Sequence, residues 1–98
     1  MRKTVTKIIS ILNENLPYIE SKYKLEKFEL FGSYVRAEDN DNSDIDLLVS
    51  YKETPSLIEF IELENFLTDK LGIKVDLVMK NSLKRNLRQN ILSEAIPI

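Results

Sequence analysis

Asp44 and Asp46 stand two residues apart in the run Ser43-Asp44-Ile45-Asp46-Leu47-Leu48-Val49. In an extended strand, residues two apart leave the same face, with Cα atoms roughly 6.5–7 Å from each other. Ile45 then turns to the core while both carboxylates turn away from it. Asp76, within Lys74-Val75-Asp76-Leu77-Val78, joins them if its strand lies alongside. Two carboxylates ~5 Å apart repel by about 3 kcal/mol at an effective dielectric near 20. Such a group needs open water or a cation. Three carboxylates suit a hard divalent ion bound through oxygen. Two such ions would activate an attacking hydroxyl and clamp a transferring phosphoryl group.

Gly32 and Ser33 follow the apolar run that ends in Phe31. A glycine at a strand end lets a ligand approach the backbone closely. If a helical turn follows, its N–H groups favour an anion such as a triphosphate. The Ser33 hydroxyl adds a phosphate contact and Arg36, one turn on, adds a charge. Taken singly these features are ordinary. Glycine-serine pairs are common in turns, and Asp-x-Asp at a strand start is usually solvated. Asp76, inside an apolar strand, needs a partner, and Lys74 is a candidate on the same face. A calcium-loop reading of the stretch from Asp39 fails. Its sixth position, Asp44, should be glycine, and its twelfth, Ser50, should be glutamate.

The elements that must hold these residues are legible in outline. Val5, Ile8, Ile9, Leu12, Leu16 and Ile19 recur at helical spacing, and Pro17 predicts a kink or a break into two helices. Lys27 to Phe31 reads as a short strand. Arg36 to Ser43 is polar and reads as a short helical turn followed by an exposed loop. Asp44 to Ser50 alternates as a strand, with Ile45, Leu47 and Val49 on one face. Ser56 and Glu59 have capping-box spacing, and Leu57, Phe60, Leu63, Leu67 and Leu71 form the buried stripe of the helix that follows. Gly72 suits its left-handed cap. Lys74 to Met79 is a third strand. Ser82 is placed to cap a last helix carrying Leu83, Leu87 and Ile91. The expectation is one α/β (α+β) domain over residues 1–98, a short mixed sheet flanked by helices.

Composition narrows the chemistry. The 98 residues contain no cysteine and no histidine, so thiol nucleophiles, disulfides and imidazole metal sites are excluded. Net charge is −2, and the chain has no base-reading motif, aromatic platform or strongly basic face, so direct nucleic-acid binding is not expected. No apolar run approaches the ~18–20 residues of a membrane span, and Met1 to Lys7 lacks the features of a signal peptide. A cytoplasmic protein is expected. Lys80, Lys84, Arg85 and Arg88 form a basic set that could steer a nucleotide or meet a partner, although a solvated helix face explains any single one.

Together, Gly32-Ser33, ten intervening residues, Asp44-Ile45-Asp46 and the later Asp76 resemble the nucleotidyltransferase superfamily related to DNA polymerase β. The run Phe31-Gly32-Ser33-Tyr34-Val35-Arg36 and the shortness of the chain look most like its minimal nucleotidyltransferase (MNT) family, antitoxins usually paired with a HEPN-domain ribonuclease toxin. The resemblance implies a polymerase β-like fold. It implies transfer of AMP from ATP, with magnesium or alternatively manganese, onto a tyrosine of the toxin, which is thereby silenced. By the same resemblance Asp44 and Asp46 bind metal, Asp76 completes the metal site or helps deprotonate the acceptor hydroxyl, and Gly32 and Ser33 hold the triphosphate. Many relatives carry glycine where this chain has Ala37. If that position needs a positive φ, alanine costs about 1 kcal/mol or more.

Once the catalytic core is built, little chain remains to hold an acceptor. The acceptor surface is therefore expected on another protein or a second copy, giving a homo- or hetero-oligomer. Neutralisation by complex formation alone and transfer to a small-molecule acceptor are the alternatives.

Overall fold

The computed structural model describes residues 4–40 and 42–98, apart from the side chains of Arg85 and Asn86. Met1 to Lys3, part of the N-terminal stretch read above, and Asp41, part of the loop between Arg36 and Ser43, lie outside the described residues.

The chain opens on helix α1, Val5–Tyr23, capped by the Thr4 hydroxyl, which accepts from the Lys7 N–H at 3.2 Å. Pro17 lies inside this helix and does not break it. Its missing N–H and ring cost about 3 kcal/mol. Ile8 and Leu12 before it, and Ile19 and Tyr23 after it, are all buried, and each contributes about 1.5–3 kcal/mol. Burial on both sides therefore outweighs the local penalty, and of the expected kink or break at Pro17 the break into two helices is corrected.

Strand β1, Leu25–Phe31, follows, with an irregularity between Leu25 and Lys27. Strand β2, Ile45–Tyr51, pairs with it antiparallel. Helix α2, Leu57–Leu71, carries the expected capping box between Ser56 and Glu59 and ends at Gly72 with φ 70°. Its buried stripe is shorter than expected. Leu63, Leu67 and Leu71 are buried and Phe60 packs against the core, but Leu57 is 73% exposed.

Strand β3, Val75–Met79, pairs with β2 in parallel, with α2 as the crossover. Lys80–Ser82 then form a 3-10 turn, and helix α3 spans Arg85–Glu94 from Lys84, without a side-chain cap. Ser82 is thus absorbed by the 3-10 turn, and its expected role as helix cap is corrected. Strand β4, Ile96–Pro97, closes the sheet against β1, giving the order β3-β2-β1-β4. Proline fits this edge position, where no ladder donor is needed.

The two faces of the sheet differ in chemistry. Phe28, Leu30, Ile45, Leu47, Val49, Val75 and Leu77 form one core with Ile8, Leu12, Ile19, Leu63, Leu67 and Leu71 of the first two helices. By strand alternation, Glu29, Phe31, Asp46, Leu48, Asp76 and Val78 occupy the opposite face. The outer edge of β3 is occupied by α2 side chains. The Val75 N–H donates to Thr68 Oγ1 at 3.0 Å, and the Leu77 N–H donates to Glu64 Oε2 at 2.9 Å. These contacts satisfy amides that would otherwise recruit another strand.

Candidate active site

One lateral row of the sheet builds the site. Phe31 of β1 is the register partner of Asp46 in β2, and Asp46 is the register partner of Asp76 in β3. Adjacent strands are roughly 4.8 Å apart, so the Asp46 and Asp76 side chains leave neighbouring positions on the same face. Asp44 stands just before β2, one pleat away. Gly32 follows Phe31 immediately and has φ 89°. A Cβ built at Gly32 would overlap Asp46 Oδ2 and lie 2.8 Å from Asp46 Cγ. The glycine is therefore required twice, for its backbone angle and for the space given to the carboxylate.

Burial pushes the Asp46 carboxyl up to about 6, and the charges of Asp76 and Asp44 push in the same direction. Arg36 partly offsets this. Asp46 thus carries a charge that its own surroundings disfavour, the condition a cation relieves. The donor set is all carboxylate oxygen, which fits a hard divalent ion such as magnesium or manganese. Among the described residues no three acidic side chains converge closely enough to enclose an ion as they stand. What the fold assembles is the Asp46–Asp76 pair with Asp44 beside it.

Residues 33–38 form one helical turn with a defined end. The Val35 and Arg36 N–H groups donate to the Gly32 carbonyl at 3.1 and 3.2 Å. The Glu38 N–H reaches back to the Ser33 carbonyl at 2.9 Å, and the Ala37 N–H to the Tyr34 carbonyl at 3.4 Å. This double closure is the Schellman pattern, with Ala37 at the left-handed position usually taken by glycine. Ala37 has φ 57°. The backbone angle considered from the sequence is therefore present, and alanine carries it.

Arg36 is engaged by carboxylates on two sides. Its Nε donates to Glu38 Oε2 at 3.1 Å, and its Nη1 donates to both Glu94 oxygens at 3.0 and 3.1 Å. These bonds, to Glu38 first and Glu94 second, hold the guanidinium above its ordinary range. Lys74 sits 3.9 Å from Asp44 Oδ2, so the lysine considered as a partner for Asp76 faces the first carboxylate of the Asp-x-Asp pair instead. Lys80 lies 3.7 Å from Glu29 Oε1, both side chains being largely buried. Lys84 and Arg88 are exposed, and the Arg85 side chain is outside the described set. Glu29, Glu38 and Glu94 were not singled out from the sequence. Strand parity places Glu29 on the Asp46 face, but no local signal joins Glu94 to Arg36, 58 residues away.

The chain matches the family described as polymerase beta, nucleotidyltransferase, over residues 6–98, and it belongs to that family. It is 43% identical over 93 residues to the protein adenylyltransferase MntA of Thermococcus cleftensis, covering 95% of this chain and 94% of the relative. Its fold superposes on the solved structure of a candidate minimal nucleotidyltransferase with a TM-score of 0.84 and 30% identity, over 99% of this chain and 98% of the other. A chain from the complex of a tri-AMPylated Shewanella oneidensis HEPN toxin with an MNT antitoxin is 33% identical, with a TM-score of 0.60 over 94% of this chain and 66% of that one. The expected family and fold class are thus borne out. No described helix is long and apolar enough to cross a membrane.

Proposed function

We propose that this protein is the antitoxin of a toxin–antitoxin pair and transfers AMP from ATP to a tyrosine of a HEPN-type toxin, which is thereby inactivated. The observation that carries this reading is the Asp46–Asp76 register pair set against Gly32, whose missing side chain gives Asp46 its place. The names of the relatives, a protein adenylyltransferase and an antitoxin bound to an AMPylated HEPN toxin, support the acceptor class.

In the proposed reaction the tyrosine oxygen attacks the α-phosphorus of ATP. A new oxygen–phosphorus bond forms, the bond to the bridging oxygen of the β-phosphate breaks, and pyrophosphate leaves. Asp76, more exposed than Asp46, would help take the phenolic proton. Asp44 and Asp46, with Asp76, would hold the divalent ion, which when bound offsets charge on the phosphates and lowers the cost of forming the nucleophile. Gly32, itself buried, gives the Asp46 carboxylate its place beside the turn, and Ser33 and Arg36 would supply a hydroxyl and a cation to the polyphosphate.

The test is co-expression with a candidate HEPN partner, such as one found in a neighbouring gene, followed by intact-mass measurement of that partner. The expected result is addition of whole AMP units to the partner, lost with Asp44→Asn or Asp46→Asn. A partner neutralised at unchanged mass would favour inhibition by binding alone.

A further inference from the structure

Arg36 commits two of its three guanidinium nitrogens to carboxylates of very different standing. Glu38 lies two residues on in the same turn, and its side chain is 65% exposed. Glu94 is the last residue of α3, its side chain is only 21% exposed, and it takes Nη1 with both oxygens. The Arg36–Glu94 contact therefore ties the turn beside Gly32 to the end of the C-terminal helix. Both groups lie within electrostatic reach of Asp46, Arg36 lowering its carboxyl and Glu94 raising it. The C-terminus of a helix also carries partial negative charge, so the end of α3 brings two sources of negative potential to the rim of the site.

A polyphosphate arriving beside Gly32 and Asp46 meets this arrangement directly. The cation best placed to receive it already serves a carboxylate, and that carboxylate repels it. Arg36 cannot lose its charge under ordinary conditions, so the two anions compete for one guanidinium. Glu38 holds Nε and can keep the side chain in place during an exchange at Nη1.

We propose that Glu94 is a positioning residue that holds Arg36 in the nucleotide-free protein and yields it to the polyphosphate of the bound nucleotide, so that nucleotide binding releases the end of α3. The proposal rests on the nucleotidyl-transfer reading above and adds to it a contact between the nucleotide site and the C-terminal helix.

The test uses the full chain with magnesium and α,β-methylene ATP, an analogue that cannot transfer AMP. Calorimetric titration should show Glu94→Gln binding the analogue roughly two- to fivefold more tightly than wild type, the scale of a partly exposed ion pair. Hydrogen exchange should show the Ala95 amide, which donates to the Ile91 carbonyl at 3.0 Å, exchanging faster in wild type once the analogue binds. In Glu94→Gln that amide should already exchange fast without it. Equal or weaker binding by Glu94→Gln overturns the proposal. So does an Ala95 amide in wild type that is unchanged or slowed by the analogue, a measurement that needs no variant to fold. If neither wild type nor Glu94→Gln binds the analogue at all, the nucleotidyl-transfer reading itself fails and the clasp falls with it.

Discussion

The carboxylate of Asp46 fills the space in which any side chain at Gly32 would have to stand. Gly32 directly follows β1 and Asp46 lies in β2, the neighbouring strand, so the glycine and the aspartate are one structural unit. Gly32→Ala must either push Asp46 out of its row or bend β1. It also places a Cβ at φ 89°. The variant is expected to lose at least about 2 kcal/mol of stability to overpacking and strain and to lose transfer activity altogether. Urea unfolding and an AMP-transfer assay check the two parts separately. A variant as stable and active as wild type would show that Asp46 does not need this space.

Asp46 itself is expected to be a destabilising residue in metal-free protein. Its carboxyl sits near 6 in the fold against 3.8 ordinarily. Between those values the folded state binds more protons than the unfolded chain, so this group's contribution to stability falls as pH rises from about 4 to about 6 and then levels off. Asp46→Asn removes that slope. It should stabilise metal-free protein at pH 7 by about 1 kcal/mol, after allowance for screening at a partly exposed side chain. Denaturant unfolding of both proteins in chelator at pH 4.5 and pH 7 provides the comparison. A variant less stable than wild type at pH 7 would contradict the electrostatic account.

The carboxylate row was legible in the sequence because strand alternation has a period of two residues, which puts Asp44 and Asp46 on one face whatever the rest of the chain does. The β2-α2-β3 crossover then places Asp76 beside Asp46. The α2 cap at Ser56 and Glu59 and the Gly72 terminus were legible for the same reason, since each is a local contact within four or five residues. What was hidden depended on tertiary neighbours. Pro17 stays helical because buried residues flank it, and Ile96–Pro97 is a strand because β1 offers an edge. Glu94 could not be found because its partner lies in another element. The sequence did raise the backbone angle at Ala37, through the absence of a glycine, and the turn adopts that angle.

Ala37→Gly is accordingly expected to stabilise the protein. Alanine at φ 57° carries a left-handed penalty of about 1–2 kcal/mol, while glycine returns about 0.4–1 kcal/mol of that through the greater freedom of the unfolded chain. The net expectation is a gain of about 0.5–1 kcal/mol, seen as a rise in Tm. A fall in Tm would mean that the Ala37 methyl makes a contact worth more than the strain.

Thr68 and Glu64 guard the free edge of the sheet. Thr68→Val leaves the Val75 N–H without its acceptor, and the expected cost is about 1–2 kcal/mol. Glu64→Gln keeps an acceptor oxygen for the Leu77 N–H, so its effect should be smaller. Urea unfolding of the two variants tests this order, and equal losses would argue against edge satisfaction as the cause.

The central claim is adenylyl transfer to a protein acceptor through the Asp46–Asp76 face. It is tested most directly by incubating the purified protein and a candidate HEPN partner with magnesium and ATP labelled at either the α- or the γ-phosphorus. The account predicts that α-label enters the partner, that γ-label leaves as pyrophosphate, and that chelator or Asp46→Asn abolishes incorporation. Incorporation of γ-label, or a neutralised partner carrying neither label, would contradict it.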